Sequence, residues 1–355
     1  MKPKNNIGTE TRHFERIIGN RSSMKKRLLI VDGLNLYIRN YIANPSINSN
    51  GEPIGGLRGF LSSLQLIVKR TNPDKIVIAW DGEGGSEKKR RIVKDYKFGR
   101  KPVRINRWDR DLLTEEQLME NRAWQFERLK NYLYYMPIHQ ISIDGFEADD
   151  VISYVNKMEQ FEDWLKIIAS TDKDFYQCVS ATGDENHTVV YRMREGGKFE
   201  VIRQKDLLDE FGIHPANFVY ARAIDGDKSD NLPGVPRAGI PTVGKRFPFL
   251  SQDNDYTLQD IFTHCKNNTG KIKIYDSILQ HEDLVRTNHK MMQLDSPNLS
   301  PQAIREIKVA IEDMEFEFQN AEVTKMAFQD GFGEVPYQDL HAVLKRFVIE
   351  GKNAK

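Results

Sequence analysis

Cysteine and paired histidines, the usual means of holding zinc or stapling a small fold, are nearly absent here. Cys178 and Cys265 are the only two cysteines in 355 residues. They lie far apart, which excludes a disulfide framework or a zinc spacing and points to a reducing cytoplasm. The eight histidines are scattered, with no HxxxH or HExxH pair. No apolar run approaches a membrane span, and the N-terminus lacks the apolar core of a signal peptide, so no membrane partner is expected. Net charge is only +1, so no global field draws in an anion. Repeats and low-complexity linkers are missing too. With 39% hydrophobic and 29% charged residues, the sequence reads as soluble and globular, long enough for two lobes.

What is present centres on Gly145-Phe146-Glu147-Ala148-Asp149-Asp150. Three carboxylates occupy four positions there, after the apolar run Ile138 to Ile143. Val151, Ile152 and Val155 follow at helical spacing, so the acids open a helix. A helix dipole explains one such acid. Three together repel and raise one another's pKa unless a cation sits among them. Without His or Cys ligands, that cation is a divalent ion suited to oxygen, Mg²⁺ or Mn²⁺.

Other acids follow apolar runs in the same way. Arg27 to Val31 ends in Asp32-Gly33, and Lys75 to Trp80 ends in Asp81-Gly82. Trp164 to Ser170 is followed by Thr171-Asp172-Lys173-Asp174. Helical patterns over Gly55–Val68 and Leu118–Tyr135 separate these strands, which predicts a mostly parallel α/β sheet flanked by helices. One Asp after a strand is ordinary turn chemistry. Four successive strand ends in acid are not, because in such sheets sites form outside the carboxyl ends of the strands.

Residues 1–23 carry no convincing period and read as an N-terminal extension. Thr188–Tyr191 and Phe199–Ile202 read as a hairpin across Glu195-Gly196-Gly197. Beyond Lys205 the pattern turns helical, with short helices over Leu207–Phe211 and Pro215–Ile224, then amphipathic stretches such as Ile272–Leu279 and Ile304–Ile311. A second acid cluster, Asp225 to Asp230, is bounded by Gly226 and the Pro233-Gly234-Val235-Pro236 stretch. Asp227 and Asp230 could cap a turn; with the other acids they supply enough carboxylate for two ions.

Lys88 to Arg110 is strongly basic, with Tyr96, Phe98 and Trp108 interleaved. A charge run is often only a solvated face. Directly after Asp81, however, it sets cations at the rim of an acidic pocket, where phosphates can be gripped and bases stacked. Gly239 to Lys245 imitates a phosphate-binding GxxxxGK loop, but Arg246 stands where Ser or Thr is needed and no strand precedes it. A loop that holds a nucleic-acid phosphate through backbone N–H groups fits better.

Seven stretches together resemble the 5′-nuclease superfamily, which includes the 5′→3′ exonuclease domain of bacterial DNA polymerase I, flap endonucleases, and phage 5′-exonucleases and RNase H enzymes. They are Leu29–Gly33, Asn48–Gly59, Trp80-Asp81, Asp95-Tyr96-Lys97 with Arg100, Gly145–Ile152, Ser170–Asp174 and Gly226–Pro236. They keep the family's order and span roughly Leu28 to Lys245.

The resemblance implies a PIN-like nuclease core over residues 24–205, with a helical arch around 83–117. A helical DNA-binding region follows over 206–355, with a helix-hairpin-helix element around 226–250. It implies two Mg²⁺ ions, replaceable by Mn²⁺. Asp32, Asp81, Glu147 and Asp149 or Asp150 would hold one ion; Asp172, Asp174, Asp227 and Asp230 would complete the other. Lys97 and Arg100 would contact the scissile phosphate and Tyr96 would stack the terminal base. Lys88, Lys89, Arg90, Arg91, Lys101 and Arg104 are assigned to nucleic acid on the arch, and Gly234, Gly239, Gly244 and Lys245 on the hairpin. The expected activity is structure-specific 5′ nuclease cleavage of flaps, nicked or single-stranded 5′ ends and RNA–DNA hybrids. A monomer in a bacterial or phage-infected cell is expected, with a single-strand-binding protein or sliding clamp as candidate partners. The chain departs from the family in two places: the hairpin contains extra residues, and Pro248 sits where its second helix would run. Two alternatives remain open at this point. A PIN-type ribonuclease would share the acid-ended sheet, and a non-catalytic nucleic-acid-binding protein would need a missing ligand.

Overall fold

The computed structural model describes residues 7–18, 25–98, 113–297, 299–312, 318–332, 340–341 and 344–345. Its first element corrects the reading of the N-terminal extension. Ile7–Ile18 forms helix α1, and Phe14 is fully buried. The Phe14 ring lies 6.2 Å from Tyr191 and 6.3 Å from Phe199. Phe14, Ile17 and Ile18 fall on one helical face. The polar and β-branched residues between them hide that period from a local scan.

The next elements are strand β1 (Arg27–Asp32), helix α2 (Gly33–Ala43), helix α3 (Gly55–Thr71) and strand β2 (Lys75–Asp81). Then come α4 (Glu87–Ile92), α5 (Glu115–Tyr134), β3 (His139–Ile143), α6 (Ala148–Asn156) and β4 (Leu165–Ala169). Helix α2 follows β1 without a loop, because Asp32 itself caps it and accepts from Asn35 N–H at 3.2 Å. A full capping box, Thr114 with Gln117, opens α5. Of the expected arch, only the part before residue 99 and after 112 lies among the described residues, and it contains α4.

Strands β5 (Ser180–Thr182), β6 (Glu185–Met193) and β7 (Phe199–Ile202) complete the sheet. The strand order is β3-β2-β1-β4-β6-β5, with β7 also paired to β6. Pairs from β3 through β6 are parallel, whereas β5 and β7 run antiparallel to β6. The expected hairpin is present, with Arg192 opposite Glu200. The chain winds outward from β1 through β2 to β3, then returns to place β4 on the other side of β1. That reversal opens a crevice at the carboxyl ends of β1 and β4, where ligands bind in open α/β sheets.

Alternate residues of β1 face opposite layers. Leu29 and Val31 pack with α2, α3 and α5, while Leu28 and Ile30 pack towards α6. The second layer continues into α7 (Gln204–Phe211), α8 (Phe218–Asp225), α9 (Ile240–Arg246), α10 (Leu258–Asn267) and α11 (Lys273–Gln280). It closes with α12 (Glu282–Met292) and α13 (Pro301–Glu312), while α14 (Asn320–Gln329) packs on the first layer. One apolar core therefore ties the sheet to the helices beyond residue 206. Helix α9 stops at Arg246, and Pro248 opens a single 3-10 turn, Pro248–Ser251, because proline cannot continue the ladder. No helix among the described residues is long and apolar enough to cross a membrane.

Candidate active site

Four neighbouring parallel strands deliver their acids to one edge. Asp32 ends β1, Asp81 ends β2, Glu147 caps the helix after β3, and Asp172 and Asp174 follow β4. Local hydrogen bonds fix each of them. Asp81 Oδ1 accepts from Ala148 N–H at 2.8 Å, which ties β2 to the start of α6. Ser170 Oγ donates to Asp32 Oδ2 at 2.8 Å and accepts from Asp172 N–H at 3.1 Å. A cavity of about 630 Å³ results, lined by Asp32, Asp81, Glu147, Asp149, Asp172, Asp174 and Asp230. Asp227 lines an adjoining cleft with Asp172 and Arg222. Asp150, expected as an alternative ligand, lines neither space.

Charge is unevenly settled around this cup. Burial pushes Asp32 up to about 7, against the pull of Ser170. Burial and then Asp172 raise Asp174 to about 7, with Arg222 opposing. Burial and Asp149 do the same for Asp150. Asp81 and Asp172 are raised as well, first by the protein packed round their carboxyls, although both residues reach solvent at the mouth. Carboxyls this reluctant to ionise mark a place short of positive charge.

Glu147 behaves oppositely. It is 2% exposed, and burial alone would raise its pKa. Lys89 and Lys97 outweigh that and hold it down at about 2. Its Oε1 accepts from Ser86 Oγ and Lys97 Nζ, both at 2.5 Å. Its Oε2 accepts from Lys89 Nζ at 2.6 Å and Tyr96 Oη at 3.0 Å. Lys89 also reaches Asp149 at 2.9 Å. Among the described residues no three acids form a ready-made metal cage. Protein ammonium and guanidinium groups stand where the acids converge. The donor set still fits divalent ions. It is all hard oxygen, seven of the acids face one cavity, and burial raises the pKa of Asp32, Asp81, Asp172 and Asp174 there.

Arg222 is the residue the sequence reading missed. It lies in α8 at 5% exposure. Its Nε donates to Asp174 Oδ1 at 2.5 Å and its Nη2 to Asp227 Oδ2 at 2.8 Å. Its Nη1 donates to Gly226 O at 3.1 Å. An arginine between alanines in an apolar helix, five residues before Asp227, was the available signal. Gly226 has φ +74, and a Cβ there would sit 2.5 Å from Gly234 N, so the acidic loop closes only around glycine.

The basic segment divides. Lys88, Arg90 and Arg91 are exposed, with Lys88 Nζ 3.5 Å from the centre of the Phe146 ring. Lys89 faces inward, so its assignment to nucleic acid is corrected for this state. Lys97 has φ +56, and its N–H donates to Asp230 O at 3.0 Å. Asn231 Nδ2 donates to Asp95 O at 3.0 Å. Tyr96 is 2% exposed and clusters with Leu232, Met291 and Met292. Its hydroxyl donates to Glu147, so the ring expected to stack a terminal base lies inside the protein in this structure. Arg100, Lys101 and Arg104 lie outside the described residues.

The hairpin glycines also divide. A Cβ at Gly234 would lie 1.9 Å from Asp225 O, and one at Gly244 1.7 Å from Phe211 O. Both positions are needed for internal packing, and Gly244 is buried. Gly239, at the start of α9, and the exposed Lys245 remain open to a ligand.

The comparisons agree with this architecture. Residues 27–212 match the model of the 5′-3′ exonuclease N-terminal resolvase-like domain. The 5′-3′ exonuclease of Buchnera aphidicola subsp. Schizaphis graminum is 32% identical over 71% of this chain and 82% of its own length. DNA polymerase I of Streptococcus pneumoniae is 30% identical over 61% of this chain, which spans only 23% of that polymerase. A likeness of fold extends to the bacteriophage T5 flap endonuclease in complex with DNA and metal ions. Its TM-score is 0.56 at 19% identity, covering 86% of this chain and all 100% of that one. The order of acid-ended strands and the family match over the whole sheet lead to one conclusion: the chain belongs to the 5′-3′ exonuclease family.

Proposed function

We propose that this chain is a divalent-metal-dependent, structure-specific 5′ nuclease. It hydrolyses phosphodiesters near the 5′ ends of flaps, nicked DNA and RNA–DNA hybrids during replication and repair. The observation that carries this reading is the cavity where seven carboxylates meet at the sheet's switch point, beside a helix of exposed cations. Asp32, Asp81, Glu147 and Asp149 would hold one ion, and Asp172, Asp174, Asp227 and Asp230 the other. Mg²⁺ fits the oxygen set and Mn²⁺ substitutes. When bound, the ions supply the positive charge that lets water attack and a 3′ oxygen leave at neutral pH.

The chain's own residues do the rest. Lys88, Arg90 and Arg91 draw the phosphate backbone to the mouth. Lys97 turns from Glu147 to the scissile phosphate and neutralises charge gathering there. Arg222 keeps Asp174 and Asp227 in register. Gly239 and Lys245 grip the duplex at a distance from the cut.

End-labelled flap, nicked and RNA–DNA hybrid substrates, with and without EDTA, test the reading. The expected result is release of short 5′ products only with Mg²⁺ or Mn²⁺, and slow attack on plain single-stranded RNA. Preference for unstructured RNA would instead favour a PIN-type ribonuclease. Metal-independent binding without turnover would favour a structural nucleic-acid binder.

A further inference from the structure

Glu147 has no free acceptor position. A carboxylate offers about four lone-pair sites, and Ser86, Lys89, Tyr96 and Lys97 use four. A divalent ion reaches it only by displacing a donor. Tyr96 is held in an apolar cluster. Lys97 Nζ and Ser86 Oγ meet Glu147 through Oε1. Lys89 is the cation that also pairs with Asp149, the acid assigned to the same ion. It sits on α4, a six-residue helix with no buried residue and no side-chain cap. Its side chain is 17% exposed, and its ammonium bridges Glu147 and Asp149 at 2.6 and 2.9 Å. A cation shared by two carboxylates fills the position an ion would take.

We infer that Lys89 is a tethered counter-cation that competes with the divalent ion and so sets metal affinity. This rests on the metal-nuclease reading above. Without an ion, the Lys89 ammonium lies between Glu147 and Asp149. An incoming ion must displace the ammonium, which then swings towards the mouth beside Lys88. Lys89 therefore weakens metal binding, although a basic residue near a phosphodiester would ordinarily be counted as helping the reaction.

Mn²⁺ binding to the full chain, followed by titration calorimetry without nucleic acid, tests this. Lys89→Met removes the charge and keeps the stem; it should tighten Mn²⁺ binding about tenfold, or ~1.4 kcal/mol. Lys89→Arg and Lys88→Met should stay within about threefold of the parent. The first keeps a competing cation, and the second removes a charge that does not touch Glu147. An unchanged affinity in Lys89→Met, or equal tightening in Lys88→Met, overturns the inference. A parent chain that binds no Mn²⁺ overturns the metal-nuclease reading itself. The unmutated chain supplies a second measurement that needs no variant to fold. Acetic anhydride labelling read by mass spectrometry should modify Lys89 several-fold faster with Mn²⁺ and leave Lys88 unchanged. Equal Lys89 labelling with and without Mn²⁺ also overturns it.

Discussion

The two halves of the acidic cup neutralise themselves by different means. On the Glu147 side the cations are Lys89 and Lys97, carried on surface elements and each 17% exposed at the side chain. On the Asp174–Asp227 side the cation is Arg222, 5% exposed and held in α8. An ammonium is a mobile point charge, whereas a guanidinium fork is planar and always charged. The lysine half is arranged to exchange its cation; the arginine half keeps one permanently, on Asp174 and Asp227, while Asp172 and Asp230 line the cavity beside Asp174.

The largest test of this division is removal of a carboxylate on the arginine side. Asp172→Asn should cut Mg²⁺-dependent flap cleavage by about 10³-fold, ~4 kcal/mol, with little change in flap binding. Asp227→Asn should lose less. Arg222 already holds one oxygen of Asp227, and Ser229 holds the other at 2.6 Å. Equal losses in single-turnover assays would mean that the cavity and the adjoining cleft act as one site.

Much of this centre was legible before the fold was known, because its signals are local. Asp32, Asp81, Glu147 and Asp172 each end an apolar run, and strand ends converge by geometry. Arg222 is only faintly legible: Asp227 lies five residues on, but Asp174 lies 48 residues away. The inward turn of Lys89 was hidden for a related reason. In a run such as Lys88-Lys89-Arg90-Arg91, every residue reads as a cation, and only the position of Glu147 decides which one faces in. Gly234 and Gly244 look phosphate-facing in the sequence because a glycine's need to avoid a carbonyl from another segment leaves no mark there. Phe14 was missed because its aromatic partners come from β6 and β7.

Next in size is Arg222→Met. Losing the guanidinium strands Asp174 and Asp227 together, and breaking a buried pair costs roughly 3 kcal/mol or more. The expected outcome is a matching drop in unfolding free energy in urea at pH 7.5. Because Asp174 can take up a proton, the loss should shrink at pH 5.5. A pH-independent loss would show that Arg222 acts by packing alone. Lys97→Met should affect turnover rather than stability. About a 10²-fold fall in single-turnover rate, ~2.7 kcal/mol, is expected with flap affinity nearly kept. A fall in affinity with an unchanged rate would make Lys97 a binding cation only.

The smallest effect comes from a buried titratable group outside both halves, and it shows what a pH response without metal looks like. His139, on the outer strand β3, is 2% exposed, and its Nδ1 lies 2.8 Å from Ala310 O at the end of α13. Burial, with Lys75 nearby, lowers its pKa to about 4 from the ordinary 6.5. Between those values the unfolded chain binds more protons than the folded one, so stability rises with pH across that window. The contribution is complete above about pH 6.5 and is lost as pH falls towards 4, which amounts to about 2 kcal/mol between pH 7 and pH 5. His139→Gln keeps a donor for Ala310 O but cannot titrate. The difference in unfolding free energy between the parent and this variant should therefore narrow by about that amount from pH 7 to pH 5. Mn²⁺ should not alter the narrowing, because His139 lies on the sheet's outer edge and faces α13 rather than the cup. A difference that changed with Mn²⁺ would mean that the outer edge of the sheet and the acidic cup are energetically coupled.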